Sequence, residues 1–321
     1  MRPPISWSVE VGTVGLLKAK SASAPLLSRL PAGTRVFLPA LPADPPSAIE
    51  EALRLLRREN PALIPVPHIA ASREPSLASL EERLAAWQRA SGDSVREVLV
   101  VRGDPRGAHS TSGALVSAQP TASGPFSTSL KLLETGVLQR SGVATVSLCG
   151  HPEGVGSLSP SAARSALAAK LCWADASGLS TRVVTQLCFF TGAATSFVDA
   201  LRADGLTTDV SVGVVGPCGL PLRQRMAERC GVAEPTSPYV TPFMRRLARW
   251  QAEREPAAGL QAIHLYPFGG LGPTLKWLRD FAEDEDFSNA MGKLSPIPPV
   301  EAELRAAADA AGVETGTRGS E

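Results

Sequence analysis

The chain has 321 residues, 44% of them hydrophobic and 20% charged, with a formal charge of +1 at neutral pH. This is the balance of a packed globular protein, and it lacks the basic stripe that marks a nucleic-acid partner. Five cysteines, an odd number with no C-x-x-C pair, argue against a disulfide framework and against a zinc site.

Taken in chain order, short β-rich runs alternate with helical patterns. The expected strands are Ile5–Val11, Thr34–Leu38, Ala62–Ile69, Glu97–Val101, Val143–Cys149, Arg182–Phe189, Asp209–Val215 and Leu260–Tyr266. Runs such as Val98-Leu99-Val100-Val101 are apolar throughout, as strands buried on both faces must be. Between them, Ile49, Leu53 and Leu56 share one helical face, and Leu77, Leu80, Leu84 and Trp87 share another. Ser79 with Glu82 resembles a capping box, and Ser76 is an equally good start. Leu130, Leu133 and Val137 mark a further helix, and another runs from Pro160 to about Leu171. Phe197, Val198 and Leu201 precede Gly205, Leu222–Cys230 precedes Gly231, and Thr274–Phe281 follows Pro273.

Eight strand–helix units fit a (β/α)8 barrel or a doubly wound sheet. The count and the lack of G-x-G-x-x-G after the first strand favour the single-domain α/β TIM barrel, over residues 1–285. Gly107–Ser127, rich in Ser, Thr, Gly and Ala, is expected to be a long loop after the fourth strand. Residues 286–321 are expected to form a partly mobile extension with a short helix Val300–Ala311. The N-terminus lacks the apolar core of a signal peptide, and no stretch of about 18 apolar residues occurs, so neither export nor a membrane span is expected. Reduced thiols and a cytoplasmic location follow as expectations.

Barrel chemistry sits at the C-terminal ends of the strands. There the chain delivers Glu10 from the first strand and His68 from the third. The fourth leads into Arg102-Gly103-Asp104, and the fifth into Gly150-His151-Pro152-Glu153. The sixth carries Thr185 and Gln186, and the eighth His264 and Tyr266. Charged groups on apolar strands are costly unless paired or used. Each has a plainer reading: a helix cap for Glu10, a hydrogen-bonded structural role for His68, a surface pair for Arg102 and Asp104. Convergence on one mouth favours function.

In order along the chain, Ser8-Val9-Glu10-Val11, Pro67-His68-Ile69, Leu99-Val100-Val101-Arg102-Gly103-Asp104-Pro105, His151-Pro152-Glu153, Val184-Thr185-Gln186-Leu187-Cys188-Phe189-Phe190 and Ile263-His264-Leu265-Tyr266 resemble the bacterial catalytic-domain form of methylenetetrahydrofolate reductase, from about Ser8 to Leu278. The resemblance implies a barrel that binds FAD and passes hydride from NADH or NADPH to 5,10-methylenetetrahydrofolate in a ping-pong cycle, giving 5-methyltetrahydrofolate. It makes Glu10 the general acid that opens the folate ring, and Asp104 the aspartate beside the flavin, both catalytic. His68, Arg102, Gly103, Asp104, His151 and Lys170 would hold the cofactor, Lys170 at its phosphates. Gln186 and Tyr266 would bind the folate. Members of the family often form homo-oligomers, and none of this involves a metal, a membrane or a nucleic acid. Pro39 stands where the family usually has a threonine, and Gly270 lies where a folate-contacting arginine is usual. The alternatives on the same scaffold are a folate-dependent methyltransferase and a non-catalytic folate- or partner-binding relative.

Overall fold

The computed structural model describes residues 5–18, 20–103, 125–155, 158–232, 239–255 and 258–283. Most of the expected loop over 107–127, and the extension from 286 with its Val300–Ala311 helix, lie outside the described residues.

The strands are β1 (Ser6–Glu10), β2 (Arg35–Leu38), β3 (Ile64–Ala70), β4 (Glu97–Val101), β5 (Thr145–Gly150), β6 (Ser180–Leu187), β7 (Asp209–Val215) and β8 (Ala262–Tyr266). Each pairs in parallel with the next, and β8 returns to β1 through Ser6↔Ala262 and Ser8↔His264, so the sheet closes into an eight-stranded barrel. Helices between successive strands complete the (β/α)8 fold. Closure removes both sheet edges, which leaves every strand's backbone paired on two sides.

Side chains alternate across each strand. Val36, Val98, Val100, Val146, Val183, Val212 and Leu265 point outward and join the layer beneath the helices. Phe37, Val66, Leu99 and Val184 point inward and form a separate cluster inside the barrel. Burying each such side chain contributes roughly 1.5–3 kcal/mol.

The helices are α1 (Thr13–Lys18), α2 (Lys20–Arg29), α3 (Ala48–Glu59), α4 (Leu77–Ser91), α5 (Ser129–Leu133), α6 (Val137–Arg140), α7 (Pro160–Ala176), α8 (Thr191–Ala203), α9 (Leu220–Cys230), α10 (Val240–Ala252) and α11 (Leu271–Ala282). Ser76, not Ser79, caps α4: its Oγ accepts from the Ser79 N–H at 3.1 Å. Ser159 caps α7 in the same way, and Pro160 follows in the first turn. The helix expected across Leu130 to Val137 is two short ones, because Gly136 adopts a left-handed conformation (φ 67°) between them. Three helices had no sequence expectation: α1, α2 and α10. β7 is therefore followed by two helices, of which α10 packs beside α8 while α9 is additional.

The N-terminal end of the barrel is closed by charge. Glu97, 4% exposed, accepts from Arg35 Nε at 2.8 Å and from the Ser147 hydroxyl at 2.6 Å. Arg182 approaches the same carboxylate at 3.6 Å and donates to Asp209 at 2.8 Å. Every carboxylate in this floor has a cationic partner, which is the condition for ion pairs in a low-dielectric interior.

Candidate active site

The opposite end is built differently. Glu10 is the last residue of β1, with its side chain 21% exposed. Burial raises its pKa from 4.5 to about 7, because the ionised form loses water without gaining a cation. His68 on β3 stands beside it, with Nε2 3.8 Å from Glu10 Oε2. That nitrogen is buried and has no hydrogen-bond partner among the described residues, and burial holds the ring neutral by lowering its pKa to about 3. A carboxyl that keeps its proton near neutrality thus faces an imidazole nitrogen without a hydrogen bond among the described residues.

An aromatic stack lines this side of the mouth. Phe37 meets His68 edge-on at 5.9 Å and His264 at 4.6 Å, and His264 meets Tyr266 at 4.7 Å. His264 lies deeper, 1% exposed, with Nδ1 2.8 Å from the Ser8 hydroxyl. Burial, with His68 nearby, lowers its pKa to about 3, so it too is neutral.

Across the mouth, Cys149 lies next to last in β5 and His151 is the first residue after the strand. His151 Nδ1 lies 3.4 Å from Gln186 Oε1. Gln186 lies two residues beyond inward-pointing Val184 and so shares its face, and beside it the β6–β7 register shifts between Val184 and Leu187. The Thr185 hydroxyl fills the gap by accepting from the Gly213 N–H at 2.8 Å, and Tyr266 donates its phenol to the Thr185 carbonyl at 3.0 Å. A Cβ on Gly213 would come within 2.7 Å of the Thr185 and Gln186 carbonyl oxygens, so only glycine lets the bulge close.

Lys170, on α7, is half-buried. Desolvation lowers its pKa, opposed by the field of Cys149. Burial raises the pKa of Cys230, the last residue of α9, to about 12.

The structure therefore brings Glu10 close to His68, and His151 close to Gln186, with Tyr266 beside His264 and Thr185; Lys170 lies on α7. Arg102 is exposed, and its backbone carbonyl accepts from the Ser72 N–H at 2.8 Å. Gly103 has φ 77° and packs against β3, where a Cβ would lie 2.6 Å from Ala70 Cβ; its close approach is to the protein itself. Asp104 lies outside the described residues. Glu153 has a structural role: its carboxylate accepts from the Phe189 and Phe190 N–H groups at 2.8 and 3.0 Å, just before α8. The Tyr266 hydroxyl is engaged by the bulge, which leaves its ring to the mouth.

Sequence reasoning missed the bulge, which leaves no mark in composition. An exposed depression of about 360 Å³ lined by Arg54, Arg57, Arg58 and Arg89 lies on the outer helical layer. Arg54 and Arg58 already pair there with Glu50 and Glu59, and no strand-end residue contributes.

No protein-family model matches the chain. Among solved structures, a Xanthomonas albilineans dihydropteroate synthase in complex with indole-2-carboxylic acid and 6-chloroguanine aligns over 87% of this chain and 91% of its own, at 14% identity and a TM-score of 0.45. The barrel assignment rests on the strand pairing itself, and nothing about that protein's ligands transfers at this distance. Among the described residues no helix is long and apolar enough to cross a membrane, and no group of three or more His, Cys, Asp or Glu is placed to hold a metal ion. None of the five cysteines is in a disulfide.

Proposed function

We propose that the chain is an oxidoreductase that interconverts 5,10-methylenetetrahydrofolate and 5-methyltetrahydrofolate with NADH or NADPH, using FAD. The observation that carries this reading is Glu10: a carboxyl at a barrel mouth whose burial raises its pKa to about 7. Such a group is protonated often enough at neutral pH to act as an acid and acidic enough to release the proton. Donated to a ring nitrogen of the methylene-bridged folate, that proton lets the carbon–nitrogen bond break and leaves an iminium carbon ready to accept hydride. The sequence resemblance supplies the substrate class, and the mouth supplies a compatible set of groups.

The unsatisfied His68 Nε2 is a polar contact that awaits a ligand, and it fits a cofactor with hydrogen-bonding edges. His68, Arg102 and Lys170 are the side chains of this chain that would hold the flavin, with Gly103 and His151 nearby. Bound there, the flavin would relay hydride between the nicotinamide and the folate carbon. Gln186, on the inward face it shares with Val184, presents an amide that can give and accept hydrogen bonds along a pterin edge. Tyr266 offers its ring face. Asp104, by the resemblance, adds negative charge that steadies the cationic carbon. Neutral His264 and Phe37 beneath them keep the base of the mouth free of competing charge.

The test is an anaerobic titration of the full chain incubated with FAD. A flavin spectrum bleached by NADH or NADPH and restored by methylenetetrahydrofolate supports the reading. A chain that neither binds FAD nor interconverts the two folates refutes it and leaves a methyltransferase or a non-catalytic folate-binding protein.

A further inference from the structure

We propose that Arg223, with the N-terminal ends of α9 and α11, forms a phosphate-binding site on the β7–β8 side of the barrel mouth. The turn after β7 runs Gly216-Pro217-Cys218-Gly219, and the turn after β8 runs Pro267-Phe268-Gly269-Gly270. The two turns touch. A Cβ on Gly269 would collide with the Pro217 carbonyl oxygen, and one on Gly216 with the Thr274 hydroxyl in the first turn of α11. Glycine at both positions therefore lets the two helix starts lie side by side.

Both starts are left open. Gly219 caps α9 and Gly270 caps α11, neither with a side-chain hydrogen bond, and neither helix has an acid in its first turn. The Leu222 and Arg223 amides return to the Gly219 carbonyl at 3.1 and 3.2 Å. The amides of Gly219, Leu220, Leu271 and Gly272 meet no acceptor among the described residues. Free amides at a helix start carry partial positive charge, which draws an anion.

Arg223 is the observation that makes these ends a site. It is 7% exposed, its Nε is buried without a hydrogen-bond partner, and no carboxylate pairs with it among the described residues. A guanidinium is permanently charged, and burying it without a counter-ion is costly. Its carbon lies 5.8 Å from the centre of the Tyr239 ring, and Tyr239 donates its phenol to the Cys188 carbonyl just past β6. The charge thus stands at the mouth end of the barrel. The ring offers its face to the cation and leaves the guanidinium edge without an acceptor. Helical side chains lean toward the N-terminus of their helix, so Arg223, in the first turns of α9, leans toward the open amides. A phosphate has oxygens enough to take the guanidinium fork and the helix amides together. Barrels of this class build phosphate sites from the turns after strands 7 and 8 and the start of an additional helix, and α9 is such a helix. The inference does not rest on the folate reading.

The experiment uses the full chain without added cofactor. Its thermal midpoint is followed while orthophosphate, ribose 5-phosphate or glutarate is titrated at constant ionic strength, and backbone hydrogen exchange is read by mass spectrometry. Both phosphates should raise the midpoint saturably and slow exchange in the peptides that hold Gly219 to Arg223 and Leu271 to Thr274. A larger rise with ribose 5-phosphate assigns the site to a phosphate ester, and a larger rise with orthophosphate assigns it to the free ion. Arg223→Gln should weaken phosphate binding about tenfold, the loss of one hydrogen-bonded charge. Arg225→Gln, at an exposed position of the same helix, should leave it unchanged. Absence of a saturable rise, an undiminished response in Arg223→Gln, protection confined to other segments such as α3 and α4, or glutarate binding as tightly as the phosphates overturns the proposal. If Arg223→Gln does not fold, the location of the protection in the wild type decides. A failed flavin titration leaves these outcomes intact, and failed phosphate binding leaves the flavin reading intact.

Discussion

The two ends of this barrel treat their buried ionisable groups in opposite ways. At the floor, Arg35, Glu97, Arg182 and Asp209 are joined by contacts of 2.8 to 3.6 Å. At the mouth, Glu10 and His68 stand 3.8 Å apart, one displaced upward in pKa and the other downward, so that both are neutral over much of the accessible pH range. Paired charge closes a barrel; unpaired polarity asks for a ligand. Burial alone does not distinguish the ends, since Glu97 and His68 are both buried. The partner does.

The sharpest way to break the comparison is to remove the mouth's acid. Glu10→Gln should cut folate turnover by about 10²–10⁴, the usual contribution of a positioned acid, and leave flavin reduction by nicotinamide much less affected. Stopped-flow measurement of the two half-reactions tests this; an equal loss in both contradicts the role. At the floor, Glu97→Ala leaves Arg35 and Arg182 without their shared carboxylate. Breaking a buried pair from one side costs about 3–5 kcal/mol, discounted here toward the lower figure because the arginines are partly exposed. Urea unfolding should show it as a lower midpoint.

Acidity separates the ends further. Glu10 has a folded pKa near 7 against 4.5 in the unfolded chain, so the folded state binds more protons between those values. Its stabilising contribution is full below pH 4.5 and is lost as pH rises through 7, by at most ~3 kcal/mol at 1.36 kcal/mol per pKa unit. His68 and His264 act in the other direction: with folded pKa values near 3 against 6.5, they favour folding above pH 6.5 and withdraw that support as pH falls toward 3. Between pH 5 and 8, Glu10→Gln should therefore gain stability relative to the wild type as pH rises, read as a widening difference in thermal midpoint. A constant difference would place the titration elsewhere. The smallest effect concerns the bulge. Gly213→Ala drives a Cβ into two carbonyl oxygens, an overpacking change of about 1–3 kcal/mol. It should weaken folate binding through Gln186 more than it slows flavin reduction.

The strands were legible because closed parallel sheets bury both faces, and that demand writes β-branched runs into the chain: β4 and β7 begin and end where the sequence places them. Helix α10 was hidden for two reasons. Leu222–Cys230 already supplied a helix after β7, and Thr241-Pro242 reads as a break, yet Phe243, Met244, Leu247, Ala248 and Gln251 form a buried helical face. α2 was obscured by Pro25 within it. In the site, Glu10 and His68 were readable because polar residues ending apolar strands are conspicuous. The bulge beside Gln186 was not, because a register shift leaves every residue type unchanged. Glu97, likewise, looks in sequence like an ordinary strand start, and only the closure of the barrel sets it between two arginines.

Glu153 has a consequence beyond its hydrogen bonds. By clasping the Phe189 and Phe190 amides it staples the segment after β5 to the start of α8, so His151 and Gln186 are carried on one jointed piece rather than on two independent loops. Anyone grafting a new loop at this position would have to transplant both halves of the clasp, since a replacement without a carboxylate at residue 153 would set the two sides of the mouth adrift from each other.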